Sequence, residues 1–205
     1  MSHVATLASP SASGPDDPER RVWLLASGAA GAAAVAATAV PLVSSFAPSD
    51  RARAAGAAVE VDVSDIPPGG MKTVEWRGKP VWILRRTPEQ LAALTGHEAD
   101  LADPQSVVDQ QPEYARNPAR AVRPEVFVAI GICTHLGCSP NAVAAASGHP
   151  SVPTDWPGGF FCPCHGSTFD LAGRVFKNKP APTNLEIPPH GWLGAAKLRI
   201  GEDQS

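Results

Sequence analysis

Two short motifs hold the residues of this chain that are best suited to chemistry. The four cysteines of the sequence lie in CTHLGC at 133–138 and in CPCHGS at 162–167. Each motif offers one histidine close to a cysteine, His135 in the first and His165 in the second, and each carries one further cysteine. Thiolate and imidazole groups are common ligands of transition metals. The sequence therefore predicts a metal centre built from both motifs.

The combination of ligand types in each motif indicates which kind of metal centre the chain forms. A zinc finger usually draws its cysteines from one turn and its histidines from a helix, whereas here each motif supplies one cysteine and one histidine. This mixed pairing suits a cluster of two irons, with two thiolates on one iron and two imidazoles on the other. Such a cluster has a raised reduction potential and a protonatable edge. A structural zinc site, and two structural disulfides with incidental histidines, are the alternatives at this stage.

The two motifs together resemble those of the Rieske iron-sulfur proteins, specifically the subunits of quinol-cytochrome c reductase (cytochrome bc1) complexes. The similarity extends through DLAGRVFKNKPAPTNLEIPP at 170–189 and through Arg20-Arg21 with the alanine-rich stretch after them. Rieske ferredoxins and ring-hydroxylating oxygenases share only the CxH and CxxH part. The small Rieske subunit of another exported oxidase, such as arsenite oxidase, is disfavoured by the AGRVF to PAP segment. An anchored zinc-binding module without redox activity is the alternative from a different class.

The resemblance implies how one [2Fe-2S] cluster per chain is held. Cys133 and Cys162 are expected to bind one iron, and His135 and His165 the other. The two histidines are also the expected catalytic residues, because His165 accepts a hydrogen bond and then a proton from quinol in this family.

The same resemblance implies roles for residues around the cluster. Cys138 is expected to form a disulfide with Cys164, and the hydroxyl of Ser167 is expected to bond a cluster sulfide. Leu136 and the loop Pro180-Ala181-Pro182 are expected to form the surface that docks on partner subunits.

The implied activity is that of a subunit of quinol-cytochrome c reductase. The cluster takes an electron from quinol at the cytochrome b subunit, together with a proton on a ligand histidine, and the head then carries the electron to the haem of cytochrome c1. The complex is expected to be dimeric and to lie in a lipid bilayer.

Three features depart from the family pattern or stand outside the site. Phe169 occupies a position where many members have tyrosine, so a hydroxyl that would raise the potential is missing. The stretch between Cys138 and Cys162 is longer than in many relatives. His97, His149 and His190 lie beside turn residues and are expected at the surface.

The N-terminal third of the chain is expected to anchor the protein. Residues 1–19 are small and polar and predict a disordered cytoplasmic tail. Residues 20–49 begin with two arginines and continue without a charge from Val22, which predicts a twin-arginine signal that stays as a transmembrane helix. A cleaved signal and a buried core helix are the alternatives. Residues 50–58 predict a flexible hinge, and 59–205 the Rieske head. The disulfide and the cluster that the resemblance implies predict that the head lies in the bacterial periplasm.

Composition sets the class of the head and excludes one function. The net charge is −3 without a long basic block, so the sequence does not favour nucleic-acid binding. With 22 prolines and 18 glycines, the chain is expected to be all-β, an antiparallel β-sandwich with a two-loop cluster-binding subdomain. Strands are predicted at the ranges 59–63, 72–76, 80–85, 126–130, 160–161, 168–169, 174–176, 185–187 and 196–200, with a short helix after Thr87 and a surface loop over 95–124.

Overall fold

The computed structural model describes residues 17–50, 52 and 56–203. The tail expected at 1–19 therefore lies outside the described residues except for its last three positions, of which 18 and 19 are already helical. Much of the hinge expected at 50–58 also lies outside them. The chain divides into two compact units, residues 1–50 and 51–205.

The first unit contains one long helix, α1, which runs from Pro18 to Ser44. Asp17 caps it by accepting a hydrogen bond from the backbone N–H of Glu19 at 3.0 Å, and proline in the first turn suits a helix start. The 27 residues extend about 40 Å, more than the roughly 30 Å of a bilayer core. In the described part of the chain, α1 is the one helix long and apolar enough to span a membrane.

Polar side chains inside α1 are satisfied by the helix itself. The hydroxyl of Ser27 donates to the carbonyl of Trp23 at 2.7 Å, and that of Thr38 donates to the carbonyl of Ala34 at 3.0 Å. Hydroxyls bonded in this way carry a small desolvation cost in an apolar medium, so they are compatible with a lipid surrounding.

The second unit is built from three antiparallel sheets of three strands each. In chain order the strands are β1 (Val59–Asp62), β2 (Met71–Trp76), β3 (Lys79–Arg85), β4 (Val126–Ile130), β5 (Asn141–Val143), β6 (Gly159–Phe161), β7 (Thr168–Asp170), β8 (His190–Trp192) and β9 (Lys197–Ile200). The strand orders are β1-β9-β8, β2-β3-β4 and β5-β6-β7. The expected antiparallel all-β head is confirmed.

The sheet β2-β3-β4 lies between two apolar cores. Alternate residues of β3 and β4, such as Val81 and Val128, pack with β1 and β9 in a first core, the base core. The intervening residues, such as Trp82 and Phe127, pack with β6 and β7 in a second core, the cluster core, which also contains Cys133 and Cys162. Because side chains alternate across a strand, β4 is buried on both faces and reads as a continuous apolar run.

Local signals place the hairpin and the short helix where the sequence predicts them. Strands β2 and β3 are joined by Arg77 and Gly78, both with positive φ, and Trp76 pairs with Lys79. The second α-helix, α2 (Pro88–Ala92), starts with a capping box in which Thr87 and Gln90 bond each other's backbone N–H.

Two predicted strands are wrong. Residues 174–176 contribute only single bridges, between Phe169 and Val175 and between Leu101 and Phe176. Residues 185–187 form no strand, because the N–H groups of Leu185 and Ile187 donate to loop carbonyls rather than to a ladder. Strands β5 and β8 were not predicted, since Asn-Ala-Val and His-Gly-Trp contain no run of β-branched or aromatic residues.

The prediction of a surface loop over residues 95–124 is wrong. They contain two short 3-10 helices, Glu98–Asp100 and Glu113–Ala115, and they bury Leu101 and Arg120. The segment covers the cluster core and is a structural part of the head.

The surface prediction is also wrong for His190 and only partly right for His97. His190 is 1% exposed, its Nδ1 lies 2.8 Å from the carbonyl of Pro188, and burial lowers its pKa. The His97 ring is mostly covered, stacks on Phe176, and its Nε2 lies 3.3 Å from a carboxylate oxygen of Asp170. His149 is half-buried and packs on Phe161.

Candidate metal centre

The two motifs fold into loops with the same backbone frame. In the first, the N–H of Cys133 donates to the carbonyl of Cys138 at 2.7 Å, and the N–H of Gly137 donates to the carbonyl of Cys133 at 3.1 Å. In the second, the N–H of Cys162 donates to the carbonyl of Ser167 at 2.8 Å, and the N–H of Gly166 donates to the carbonyl of Cys162 at 3.0 Å. The paired loops therefore present their first cysteines in matching positions.

A glycine closes each of these loops. Gly137 has φ +84° and Gly166 has φ +79°, and a Cβ at either position would meet nothing within 4 Å. Space is thus not the constraint; the left-handed backbone conformation is what favours glycine at both turns.

The loops bring two thiols and two imidazoles to one end of the head. Cys133 and Cys162 are each 2% exposed and are the free cysteines of the described chain. The rings of His135 and His165 lie with centroids 4.8 Å apart and planes at 90°. His135 is half-buried and His165 is exposed. The ligand set expected from the resemblance is therefore assembled with its sulfur side inside and its nitrogen side toward solvent.

The expected disulfide between Cys138 and Cys164 is present and joins the two loops. The sulfur of Cys162 lies within 4.8 Å of both bridged sulfurs. These three sulfurs do not form a metal site of their own, because two of them are bonded to each other. The bridge instead flanks the position of the buried thiols and fixes the spacing of the loops.

Ser167 and Thr134 connect the loops to the segment Pro180-Ala181-Pro182. The Oγ of Ser167, which is 0% exposed, accepts a hydrogen bond from the N–H of Ala181 at 2.9 Å. The hydroxyl of Thr134 donates to the carbonyl of Thr183 at 2.7 Å. No role was predicted for Thr134, although its position between Cys133 and His135 is a signal that it belongs to the site.

The chemistry of these donors fits a [2Fe-2S] cluster. Burial raises the pKa of the Cys133 thiol, while a hydrogen bond from Ser167 acts in the opposite direction. Ser167 uses its oxygen as an acceptor for Ala181, so its hydroxyl hydrogen remains available for a sulfur acceptor on the cysteine side. Two soft thiolates backed by an apolar core and two imidazoles open to water are the donor set that such a cluster requires.

The tip of the head is apolar and exposed around His165. Leu136 is 71% exposed, and Pro180 and Pro182 are exposed as well. Ala181, which was expected to belong to the docking surface, is 4% exposed and packs in the cluster core. It supports the proline segment from below and offers no surface to a partner.

Behind the loops, β7 ends in a turn that is held by buried charges. Asp170 and Arg174 form an ion pair at 2.7 Å with both side chains 1% exposed. Asp170 Oδ1 also accepts the N–H groups of Ala172 and Arg174. Asn184 completes the turn by accepting the N–H of Val175 at 2.9 Å. The contacts of Asp170 with Ala172 and Arg174 are local in sequence, whereas Asn184 reaches the turn from nine residues beyond Val175.

An antiparallel β head with two cysteine-histidine loops joined by a disulfide defines the class of Rieske iron-sulfur proteins. The Rieske [2Fe-2S] domain family matches residues 57–189, and the ubiquinol-cytochrome c reductase Fe-S subunit TAT signal family matches residues 10–49. The chain belongs to the family of Rieske iron-sulfur subunits of ubiquinol-cytochrome c reductases. It accordingly carries a [2Fe-2S] cluster, and the zinc and all-disulfide alternatives are set aside.

Curated relatives agree with this assignment over nearly the whole chain. The chain is 54% identical to the ubiquinol-cytochrome c reductase iron-sulfur subunit of Allochromatium vinosum, over 95% of this chain and 93% of that protein. It is 42% identical to the subunit of the same name from Blastochloris viridis, covering 89% and 92%. The corresponding subunit of Bradyrhizobium diazoefficiens is 41% identical, covering 93% and 98%.

Proposed function

We propose that Cys133 and Cys162 bind the inner iron of the cluster and that His135 and His165 bind the outer iron, so that the chain transfers single electrons from quinol. One observation carries the proposal: the paired loops bring two buried free thiols and two solvent-facing imidazoles to the same place. Two neutral imidazoles in place of two thiolates make the centre less negative, which raises its potential into the range that quinol can reduce.

His165 is the residue that accepts the proton. Its ring is exposed at the tip of the head, so a quinol hydroxyl can donate a hydrogen bond to its outer nitrogen, whereas His135 is half-buried. When bound, the cluster accepts one electron. As the electron leaves the quinol, His165 would accept the proton from the quinol oxygen. Leu136 and the exposed prolines exclude water around that contact.

The apolar tip is the surface that meets partner subunits. Leu136 projects from the first loop with 71% of its surface exposed, and Pro180 and Pro182 are exposed on the proline segment. We infer that this surface docks on cytochrome b, where quinol binds, and then on cytochrome c1, whose haem receives the electron. The complex is proposed to be dimeric, as the resemblance implies.

The anchor and the hinge give the head its compartment and its motion. A Tat-type signal and one apolar helix fit a single-pass membrane anchor. We propose that the N-terminus is cytoplasmic and the head periplasmic, because the Cys138–Cys164 bridge persists outside the reducing cytosol whereas the cluster is assembled inside the cell. Export of the folded head satisfies both conditions. We propose that residues 50–58, of which 54–58 are alanine and glycine alone, serve as the hinge on which the head moves.

The proposal is tested on membranes that contain the full chain. Dithionite-reduced membranes are expected to give the electron paramagnetic resonance spectrum of a Rieske centre, and the His165→Ala variant is expected to lose it. His149→Ala is the matched control, since His149 packs on Phe161 in a loop outside the two motifs. Retention of the full signal in His165→Ala, or its loss in His149→Ala, would contradict the ligand assignment.

A further inference from the structure

Two arginines are buried in the head without a carboxylate partner. Arg86 is 3% exposed and Arg120 is 0% exposed, and within the described residues neither guanidinium forms a salt bridge. Burying an unpaired charge is costly, and most buried charges in proteins are paired. We call Arg86 and Arg120 the buried arginine pair.

The buried arginine pair is bonded only to neutral acceptors. Arg120 donates to the carbonyls of Ala172, Gly173 and Leu185 and to the amide oxygen of Gln111, at 2.8 to 3.3 Å. Arg86 donates to the carbonyls of Pro124 and Leu171. Arg120 Nε and one terminal nitrogen of Arg86 lack any partner among the described residues. These hydrogen bonds satisfy only part of the donors, and among the described residues no carboxylate forms a salt bridge with either guanidinium.

The one carboxylate among the buried charged residues is already neutralised. Asp170 pairs with Arg174 at 2.7 Å and faces His97 at 3.3 Å. Burial lowers the pKa of Arg86 and of Arg120 to about 10, which still leaves both charged at neutral pH. The interior of the head therefore carries an excess of positive charge.

The backbone of Arg120 has an unusual conformation. Its φ is +47°, in the left-handed region that non-glycine residues adopt infrequently. Asn117 stabilises this turn by accepting the N–H of Arg120 at 2.9 Å through its carbonyl. An unusual backbone conformation at a buried charge without a salt bridge suggests a role for the charge itself.

An apolar path connects the buried arginine pair to the thiol side of the centre. The guanidinium of Arg86 lies 5.2 Å from the centroid of the Phe127 ring, and that ring stacks on Phe160 with a centroid distance of 6.3 Å. Phe127 and Phe160 share the cluster core with Cys133 and Cys162. Water does not screen a charge across such a medium, so its field extends further than at the surface.

We propose that the buried arginine pair stabilises the reduced cluster electrostatically and thereby raises its midpoint potential. Reduction adds one negative charge at the cysteine loops, and two buried positive charges that form no salt bridge among the described residues favour that state over the oxidised one. The inference rests on the proposed function, because it requires the cluster at the paired loops. It also offers a substitute for the hydroxyl that Phe169 lacks.

The test measures midpoint potentials of the full-length membrane protein by redox titration of its paramagnetic signal. Arg120→Met removes one charge, and Arg86→Met removes the other. Gln111→Glu places a carboxylate 2.8 Å from Arg120 and neutralises it in position, at the loss of the bonds from Gln111 Nε2 to two loop carbonyls. Arg120→Lys keeps the charge with fewer hydrogen bonds. Arg116→Met is the control, because Arg116 is exposed and pairs with exposed Glu113.

Each charge-removing or charge-neutralising variant is expected to lower the ratio of reduced to oxidised cluster at a fixed ambient potential by about threefold to tenfold, tenfold being about 59 mV for a one-electron couple. Arg120→Lys is expected to lower thermal stability but to have the same midpoint potential as the Arg116→Met control. A purely structural role predicts that stability falls while potentials stay unchanged, which would overturn the inference. If Arg120→Met does not fold, the midpoint potentials of Arg86→Met and Gln111→Glu test the inference instead. Absence of a Rieske signal in the unmodified protein would instead overturn the proposed function.

Discussion

The imidazole rings of His135 and His165 lie 4.8 Å apart, edge to face, although they come from loops that are distant in sequence. The common backbone frame of the two loops and the Cys138–Cys164 bridge hold them there. The two rings are not equivalent, because His165 is exposed and His135 is half-buried. Proton exchange with a bound quinol is therefore expected at His165.

Substitution of the cysteines is expected to separate ligands from bridge. Serine at Cys133 or Cys162 should abolish the cluster, because each is a buried free thiol on the sulfur side. Serine at Cys138 or Cys164 should leave a labile cluster in a head destabilised by about 2 to 4 kcal/mol, the usual contribution of a disulfide. Iron content and the paramagnetic signal measure both effects. The same phenotype in all four variants would refute the assignment of two cysteines as ligands and two as disulfide partners.

Phe169→Tyr is expected to raise the midpoint potential. Phe169 is fully buried and belongs to the cluster core that also contains Cys133 and Cys162, so a hydroxyl added to its ring is expected to reach one of the ligand sulfurs. One hydrogen bond of about 0.5 to 1.5 kcal/mol to a sulfur corresponds to about 20 to 60 mV in favour of the reduced state. Redox titration of a fully occupied variant measures the shift. An unchanged or lower potential would show that the hydroxyl does not reach a sulfur.

The sequence predicted features that depend on neighbouring residues, but it did not predict the burial of His190. Local patterns located the hairpin at Gly78, the helix cap at Thr87 and both ligand loops, because each depends on neighbouring residues. The burial of His190 depends on Tyr114, whose hydroxyl accepts the N–H of His190 at 2.7 Å from a distant segment. The charge on Arg120 is likewise buried by remote carbonyls. Contacts of this kind leave no periodic signal.

Asp170→Asn is expected to destabilise the head by about 3 to 5 kcal/mol, because it leaves Arg174 buried without its partner. Burial alone would raise the pKa of Asp170, but the bonds with His97 and Arg174 outweigh it and lower the pKa. The stabilisation is therefore complete above the unfolded pKa of about 4 and disappears as the pH falls through the lower folded pKa. Urea denaturation at neutral and acid pH measures both effects. Exposed Asp155→Asn is the control, and equal stability losses in the two variants would refute the role of the buried pair.

Stiffening the proposed hinge is expected to slow turnover without altering the cluster. Replacing Ala54-Ala55-Gly56 with three prolines should convert a flexible tether into an extended segment. Quinol to cytochrome c turnover should fall while the paramagnetic spectrum and the midpoint potential stay those of the unmodified protein. Full turnover in this variant would remove the hinge from the mechanism.

The most direct test of the central claim is the pH dependence of the midpoint potential in membranes. If exposed His165 binds the outer iron and takes up one proton on reduction, the midpoint potential should fall by about 59 mV per pH unit wherever reduction carries that proton. A Rieske signal whose potential does not change with pH, from neutral to strongly alkaline solution, would contradict the coupling of electron and proton at His165.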